Sequence, residues 1–336
     1  MVMTEIIHGA GARTQCGGGY RPSVCRPCTA YGSAARAQAA GCGCQCPVQD
    51  SERQEGSLPP QERASSKELA MLTTRFVTGA PNWIDLGTPD LDGAIAFYTG
   101  LFGWEYRAGG PGTGGYGMFT LDGKTAGGAM TVTEEQAKPS WSVYFQSPDA
   151  DATAKAVEQA GGSVPFAPMD VLDFGRMAGF KDRAGAFFGI WEPKENPGLG
   201  VVGAPGSLCW AELYTPDVPA AAAFYDSVFG WETAQTPFPG GGGSYTVIRT
   251  RGGGEDASFG GLVPLNAVAA QAVAGPHWLP YFEVDDCDAA VADVERLGGK
   301  LTLEPMEMEG VGKFANAADP DGAEFALIKS AQTPEG

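Results

Sequence analysis

The chain of 336 residues has little that would carry it into a membrane or onto a nucleic acid. No stretch approaches the roughly eighteen consecutive apolar residues that a bilayer-spanning helix needs. Positive charge is also scarce, because 22 Lys and Arg stand against 40 Asp and Glu and give a formal net charge of −18. Such a field repels phosphate backbones and anionic lipids. We therefore expect a soluble protein with neither a nucleic-acid nor a membrane partner, present as a monomer or a homodimer.

Cysteine is nearly absent from the later part of the chain. Six of the eight cysteines lie in the first 46 residues, and Cys209 and Cys287 stand alone within predicted elements. A lone cysteine in a strand or helix is usually a small buried hydrophobe, so we expect both to be reduced and structural. Unpaired cysteines of this kind are typical of a cytoplasmic protein.

Residues 1–70 lack the apolar periodicity of a helix or a strand, and Gly, Ala, Arg, Gln, Pro and Ser dominate them. They contain enough thiols and imidazole for a zinc site, although the spacing matches no paired zinc knuckle: His8, Cys25, Cys28, Cys42, Cys44 and Cys46. We expect this segment to be a disordered or non-native leader, and Met71 would be a natural start.

The rest of the chain repeats itself. The segments Trp83–Asp90 and Ala96–Trp104 recur at Trp210–Asp217 and Ala223–Trp231 with a constant offset of 127 residues. A second pair follows at an offset of 137, where the Trp-Ser-Val-Tyr-Phe run from residue 141 matches Trp-Leu-Pro-Tyr-Phe from residue 278. Because an internal repeat decides the architecture, we predict two homologous domains, residues 79–195 and 206–332.

Each half divides into two modules that begin alike. Residues 82–88 alternate as a strand does, Asp90 is suited to cap the helix that follows, and Gly103 to end it. Shorter strands are predicted after that helix, at 105–107, 116–121 and 127–132. The second module reads the same way, with predicted elements at 141–146, 151–159, 163–167, 175–180 and 186–191. The pattern predicts an α+β fold made of βαβββ modules.

Paired βαβββ units with an Asp-Pro-Asp-Gly turn at 319–322, and with Phe97-Tyr98 before a Phe-Gly-Trp helix end, resemble the vicinal-oxygen-chelate superfamily. The resemblance is to its tandem glyoxalase and bleomycin-resistance-like members of the actinobacterial hydroxylase type. It implies that the two modules of each domain curl their sheet around one cup, which normally holds a divalent metal and a ligand. The superfamily includes isomerases, dioxygenases, thiol transferases and drug-sequestering proteins, so the resemblance leaves the reaction open.

The same resemblance places the metal ligands on the first and last strands of each module, where His, Gln or Glu is customary. Here those positions carry other residues: Trp83, Ser142, Gly189, Trp210, Leu279 and Ala326. Apart from His8, the only imidazole is that of His277. If this register is wrong by one residue, His277 becomes a candidate metal ligand; otherwise it suits a capping or surface role. We expect neither a metal nor another cofactor.

Two carboxylates are the candidate catalytic groups. Asp85 and Glu212 follow Trp83 and Trp210 by two residues and therefore share their strand faces. In an apolar cup, a carboxylate with a raised pKa can act as general acid or base. The alternative is a structural hydrogen bond to an indole N–H or a backbone amide.

The candidate ligand-binding residues are aromatic: Trp83, Trp141, Trp210, Tyr214 and Trp278. Such side chains stack on flat hydrophobic ligands, but indoles also fill cores, and both interpretations stay open. Gly87 and Tyr214 occupy equivalent positions, which predicts inequivalent cups. The glycine-rich segments Ala108–Gly115 and Pro237–Ser244 suit a flap over each cup, whereas Phe97-Tyr98 and Phe224-Tyr225 suit packing.

The sequence favours a metal-independent protein that binds an aromatic or polyketide-like metabolite, as a resistance or tailoring factor. The alternative is an enzyme: a glyoxalase-like lyase, or a hydroxylase or cyclase that uses a metal or the cup carboxylates. A third hypothesis is a pseudoenzyme in which the interdomain surface matters more than either cup.

Overall fold

A computed structural model describes residues 72–110, 113–133, 138–237, 244–254, 257–267 and 274–331. The predicted leader at 1–70, with its cysteines and His8, lies outside the described residues. So do residues 111–112 and 238–243 of the two glycine-rich segments.

The described residues form four βαβββ modules in chain order. The first half contains β1 (Pro81–Thr88), α1 (Leu91–Phe102), β2 (Glu105–Ala108), β3 (Gly117–Leu121), β4 (Lys124–Thr131), β5 (Ser140–Gln146), α2 (Ala150–Gln159), β6 (Ser163–Val171), β7 (Gly175–Lys181) and β8 (Phe187–Pro193). The second half contains β9 (Leu208–Thr215), α3 (Val218–Phe229), β10 (Glu232–Pro237), β11 (Ser244–Arg249), β12 (Ser258–Pro264), β13 (His277–Glu283), α4 (Cys287–Arg296), β14 (Lys300–Met308), β15 (Gly312–Ala318) and β16 (Glu324–Ser330).

Each half makes one curled eight-stranded sheet. The strand orders are β2-β3-β4-β1-β5-β8-β7-β6 and β10-β11-β12-β9-β13-β16-β15-β14. The two modules of a half join edge to edge, because β1 pairs antiparallel with β5 and β9 with β13. The first strand of every module therefore lies near the middle of its sheet. The predicted tandem arrangement of paired βαβββ modules is confirmed, and neither sheet closes into a barrel.

The first helix of each half begins and ends as the sequence predicts. The Asp90 carboxylate accepts a hydrogen bond from the backbone N–H of Gly93, which satisfies one free donor of the first turn. Gly103 ends α1 with φ 69°, in the left-handed region that favours glycine. Asp217 and Gly230 cap α3 in the same way.

A core lies between the two halves and is built from their repeated aromatic motifs. Helix α1 packs against α4, and α2 against α3. The indole Nε1 of Trp104 donates to the carbonyl of Gly206 at 2.7 Å, and that of Trp231 donates to Gly79 at 3.0 Å. Phe97-Tyr98 and Phe224-Tyr225 lie in this core, in the packing role that the sequence predicts.

Strand alternation separates this core from the opposite face of each sheet. Ile84 and Leu86 on β1 are fully buried against the core, so Trp83 and Asp85 point the other way. We call the concave face that carries Trp83 and Asp85 the first cup, and the equivalent face around Glu212 the second cup. Cys209 and Cys287 are free and buried, as predicted. Among the described helices, none is long and apolar enough to cross a membrane.

Candidate ligand-binding cups

A buried carboxylate lies at the centre of the first cup. Asp85 is 8% exposed and accepts hydrogen bonds from the hydroxyls of Tyr144 and Tyr116. Tyr116 in turn accepts the indole N–H of Trp83 at 2.8 Å. The carboxylate is thus held by side chains from β1 and β5, together with Tyr116 just before β3.

The surroundings of Asp85 raise its pKa toward neutral pH. Burial raises the pKa of Asp85 to about 7, against the opposing effect of the hydrogen bonds from Tyr144 and Tyr116. Burial and the Asp85 charge raise the pKa of both tyrosines, so their hydroxyls stay protonated and act as donors. An acid near its midpoint at neutral pH can both give and take a proton.

The second cup repeats this arrangement with one more donor. The Glu212 carboxylate accepts hydrogen bonds from the hydroxyls of Tyr245 at 2.6 Å, Tyr281 at 2.6 Å and Tyr214 at 3.1 Å. Tyr245 accepts the indole N–H of Trp210 at 2.9 Å. Burial raises the pKa of Glu212, and the three tyrosine hydrogen bonds partly offset the shift.

Tyr214 is closely surrounded. Burial, reinforced by the charge of Glu212, raises its pKa, and the neighbouring Tyr281 and Asn316 side chains partly offset the increase. The ring of Tyr214 also stacks on His277, with ring centroids 5.4 Å apart and an interplanar angle of 8°. In the first cup the equivalent residue is Gly87, which brings neither a ring nor a hydroxyl.

Two glycines make room for Tyr116, just before β3, and for Tyr245 on β11. A Cβ atom at Gly128 would overlap the Tyr116 hydroxyl, and one at Gly261 would overlap that of Tyr245. Gly128 faces Asp85 across the parallel β1–β4 pair, and Gly261 faces Glu212 across β9–β12. Any side chain at either position would have to displace the hydroxyl from the carboxylate.

The structure places the seven predicted site residues in two groups. Five of them lie in the cups: Trp83, Asp85, Trp210, Glu212 and Tyr214. The other two, Trp141 and Trp278, lie on the opposite faces of β5 and β13 and pack in the core. Trp141 donates its indole N–H to the Tyr98 hydroxyl at 2.9 Å, and Trp278 donates to Tyr225 at 3.0 Å. For these two, the geometry matches the core interpretation and not the ligand-binding one.

Sequence reasoning missed the four tyrosines that hold the carboxylates: Tyr116, Tyr144, Tyr245 and Tyr281. Tyr144 and Tyr281 occur at matching places in the second repeat motif, three residues after Trp141 and Trp278. Because side chains alternate along a strand, a residue three places on lies on the other face. The spacing therefore predicts that Tyr144 and Tyr281 face away from Trp141 and Trp278.

Two stretches of the sequence match a family of known proteins. The family model for the Glyoxalase/Bleomycin resistance protein/Dioxygenase superfamily matches residues 80–190 and 207–327. The chain belongs to this superfamily.

Relatives and solved structures agree with that membership. The anthracycline biosynthesis proteins DauV of Streptomyces sp. (strain C5) and DnrV of Streptomyces peucetius are each 39% identical over 271 residues, which cover 76% of this chain and 95% of theirs. The Mn(II)-bound glyoxalase from Novosphingobium aromaticivorans is 16% identical with a TM-score of 0.53, covering 76% of this chain and 84% of its own. At that identity, the structural likeness shows the fold alone.

Glyoxalases and dioxygenases of this superfamily imply a metal in the cup, and the residues here do not fit one. Ser142 faces Asp85 across β1–β5, and Leu279 faces Glu212 across β9–β13, so neither customary first-strand position supplies a ligand. At the late-strand positions, Gly189 and Ala326 have no side-chain oxygen, nitrogen or sulfur that could bind a metal. Among the described residues, no three His, Cys, Asp or Glu side chains group closely enough to hold a metal ion.

The central carboxylate of the second cup is already engaged in hydrogen bonds. Glu212 receives three phenolic O–H donors, and a metal ion would have to displace them. His277 faces the second cup without any change of register, because it lies two residues before Leu279 on the same strand face. Beside the enclosed Glu212, His277 and the Glu324 carboxylate 3.9 Å from it supply two protein ligands at most, which falls short of the three or four that zinc takes.

The wall of the first cup is apolar and partly open to solvent. Trp191 stacks on Trp83 with centroids 6.4 Å apart. Phe166 and Met169 on β6 are 56% and 54% exposed although both are large and hydrophobic. Phe166 pairs with Gly179, which brings it to the face that carries Gly189 and Tyr144. Exposed apolar side chains next to a concave face are typical of a binding site for an apolar ligand.

Proposed function

We propose that the chain binds a flat, oxygen-substituted aromatic metabolite of the polyketide type in its cups, without an intrinsic metal, as a resistance or tailoring factor. The observation that carries the proposal is a buried carboxylate in each cup that is held by tyrosine hydroxyls, one of which accepts a tryptophan indole N–H. Aromatic walls stack on flat rings, and a few placed polar groups orient them.

The relatives support the ligand class. DauV and DnrV bear the name of anthracycline biosynthesis, and this chain covers 95% of their length. Anthracyclines contain fused aromatic rings with carbonyl and hydroxyl groups, which complement aromatic walls and phenolic donors. The free, buried Cys209 and Cys287 fit a cytoplasmic location for the protein.

Binding is tested by tryptophan fluorescence and titration calorimetry with dihydroxyanthraquinone as the probe. Phe166→Ala removes an exposed ring from the wall of the first cup and should weaken binding there. Leu172→Ala is the matched control, since Leu172 is 58% exposed at the turn after β6. Equal loss in both variants, or no binding by the wild type, would refute the proposal.

Metal independence has its own measurement. After dialysis against buffer without chelator, elemental analysis of the purified protein should find zinc, nickel, manganese and iron well below one atom per chain. If one of these metals is present in a stoichiometric amount, and a chelator removes both the metal and the binding of the probe, the protein depends on a metal and this part of the proposal is wrong.

A second candidate function is proton transfer at carbon next to a carbonyl group, and the raised pKa of Asp85 favours it. The carboxylate would take a proton from the carbon while a tyrosine hydroxyl stabilises the enolate oxygen, and would return the proton in the reverse step. Deuterium exchange into beta-tetralone in heavy water measures this activity. Asp85→Asn should abolish the catalysed exchange in the first cup, and exchange at the uncatalysed rate with wild-type protein would exclude the function for this probe.

A further inference from the structure

One end of the second cup contains a polar cluster that the carboxylate centre does not use. It consists of His277, Asn316 and Glu324 around Tyr214, and we call it the rim cluster. His277 pairs with Tyr214 across β13 and β9, and Asn316 pairs with Ala326 across β15 and β16. Glu324 precedes Ala326 by two residues, so alternation places it on the same face.

Several polar atoms of the rim cluster have no hydrogen-bond partner among the described residues. Asn316 is fully buried beside the Tyr214 hydroxyl, but neither its amide oxygen nor its amide nitrogen makes a hydrogen bond of ordinary geometry. The buried atoms Nε2 of His277 and Oε2 of Glu324 are unpaired as well, and they lie 3.9 Å apart. A buried polar group without a partner destabilises the fold, so its presence calls for an explanation such as a ligand atom.

The geometry of the pair allows one oxygen atom to contact both members. The distance of 3.9 Å is too long for a direct hydrogen bond, and an oxygen beside the pair can lie within hydrogen-bond distance of both atoms. The other imidazole nitrogen, Nδ1, lies 2.7 Å from the carbonyl of Gly275 and therefore donates to it. A hydroxyl group can donate to Nε2 when the imidazole is neutral, and can bridge Nε2 and the carboxylate when it is protonated.

The first cup has no counterpart of this cluster. At the equivalent positions it has Ser140 for His277, Gly179 for Asn316 and Phe187 for Glu324. The rings of Phe166 and Phe187 occupy the space beside Gly179, because a Cβ atom there would contact both. The two halves thus present an apolar wall in one cup and an unpaired polar cluster in the other.

We infer that the rim cluster is a hydrogen-bonding site for hydroxyl substituents of the ligand, so that the second cup selects hydroxyl-substituted rings over the unsubstituted quinone. The inference rests on the proposed function, since it assumes an aromatic ligand. The Asn316 amide oxygen accepts from one hydroxyl, while His277 and Glu324 hold another nearby. Two neighbouring hydroxyl groups on one ring system would engage all three side chains.

The test compares dihydroxyanthraquinone with anthraquinone, which lacks the hydroxyl groups. Asn316→Ala and Glu324→Gln should each weaken dihydroxyanthraquinone at one site per chain by about tenfold, the loss expected for about one hydrogen bond to a ligand. Anthraquinone should change by less than about twofold, within the ordinary range of a substitution that removes no contact with it. Ser140→Ala, at the equivalent place in the first cup, is the matched control and should change neither.

A second measurement reports the contact directly. The chain has two histidines, so the ring nitrogen signals of His277 can be assigned in the NMR spectrum of ¹⁵N-labelled protein by their loss in His277→Ser. Dihydroxyanthraquinone should move the Nε2 signal, and anthraquinone should not. If Asn316→Ala fails to fold, Glu324→Gln and this signal still decide the question.

The outcomes separate the two proposals. If the wild type binds neither quinone, the proposed function is wrong and the inference falls with it. If both quinones bind but the rim variants weaken them equally, or weaken neither, the proposed function stands and the inference is wrong. A loss in Ser140→Ala as large as that in Asn316→Ala would also overturn the inference, because it would move the selective contact to the first cup.

Discussion

Replacing Asp85 with asparagine should flatten the pH dependence of stability between about pH 5 and pH 8. The pKa of Asp85 is raised from 3.8 to about 7 by burial. The folded chain therefore binds one more proton than the unfolded chain between these two values, and its stability falls as the pH rises toward 7. Below about pH 4 both states are protonated, and well above pH 7 neither is, so the change is confined to this window.

The size of the effect follows from the width of the window. Each unit of pKa difference corresponds to about 1.4 kcal/mol of unfolding free energy. The pKa of Asp85 in the folded chain, about 7, lies about two units above pH 5. The wild type should then lose about 3 kcal/mol of unfolding free energy between pH 5 and pH 8 through this group alone. Glu212, Asp182 and Asp319 have raised pKa values as well, but they are common to wild type and variant and cancel in the comparison.

Urea unfolding followed by tryptophan fluorescence at several pH values measures this difference. Asp122→Asn removes one exposed carboxylate from the turn between β3 and β4, and it controls for the change in net charge. The pH slope should be smaller in Asp85→Asn than in either the control or the wild type. An Asp85→Asn slope equal to that of Asp122→Asn would mean that Asp85 does not carry a raised pKa, and the argument for proton transfer in the first cup would fail.

Three further predictions concern the core, the cup and the leader. Tyr98→Phe removes the hydroxyl that the Trp141 indole and the Asp319 carboxylate share, so it should lower the free energy of unfolding in urea by about 1–3 kcal/mol. Tyr106→Phe, on the half-buried edge strand β2, should lower it little. Gly128→Ala should abolish probe binding in the first cup by displacing the tyrosine hydroxyl from the carboxylate, and Gly110→Ala, where a Cβ meets nothing, should leave calorimetric binding unchanged. A chain shortened to begin at Met71 should melt within a few degrees of the full chain, and a larger drop, or zinc lost with the leader, would make the cysteine cluster structural.

The architecture could be predicted from the sequence because its signals are local and occur twice. Alternation over 82–88, the Asp90 cap and the Gly103 stop each specify an element without tertiary information, and β1 and α1 follow them closely. The repeat at offsets of 127 and 137 then extends the same elements to the second half. What joins the halves, the packing of α1 on α4 and α2 on α3, has no local signal and required the structure.

The cup could be predicted only in part, and the reasons differ along the sheet. On β5, alternation places Ser142 and Tyr144 together on the face opposite Trp141, so the position of Tyr144 could be predicted from the sequence. That of Tyr116 could not, because its approach to Asp85 depends on the register between β3 and β4, which shifts at Phe119 and Thr120. Asn316 could not be placed either, because its position in the cup depends on the pairing of β15 with β16, for which the sequence has no local signal.

The packing motifs of the repeat match, whereas several cup positions differ, and the geometry gives a physical reason. The Tyr98 hydroxyl of the first half donates to Asp319 of the second at 3.1 Å, and the Tyr225 hydroxyl donates to Asp182 at 3.3 Å in the reverse sense. A change on one side of such a contact leaves a buried polar group unpaired on the other half, so the packing motifs constrain each other in pairs. Cup residues such as Gly87 and Tyr214 bond only within their own half, and they can differ without harm to the shared core. One symmetric core can therefore support two cups of different chemistry in one chain.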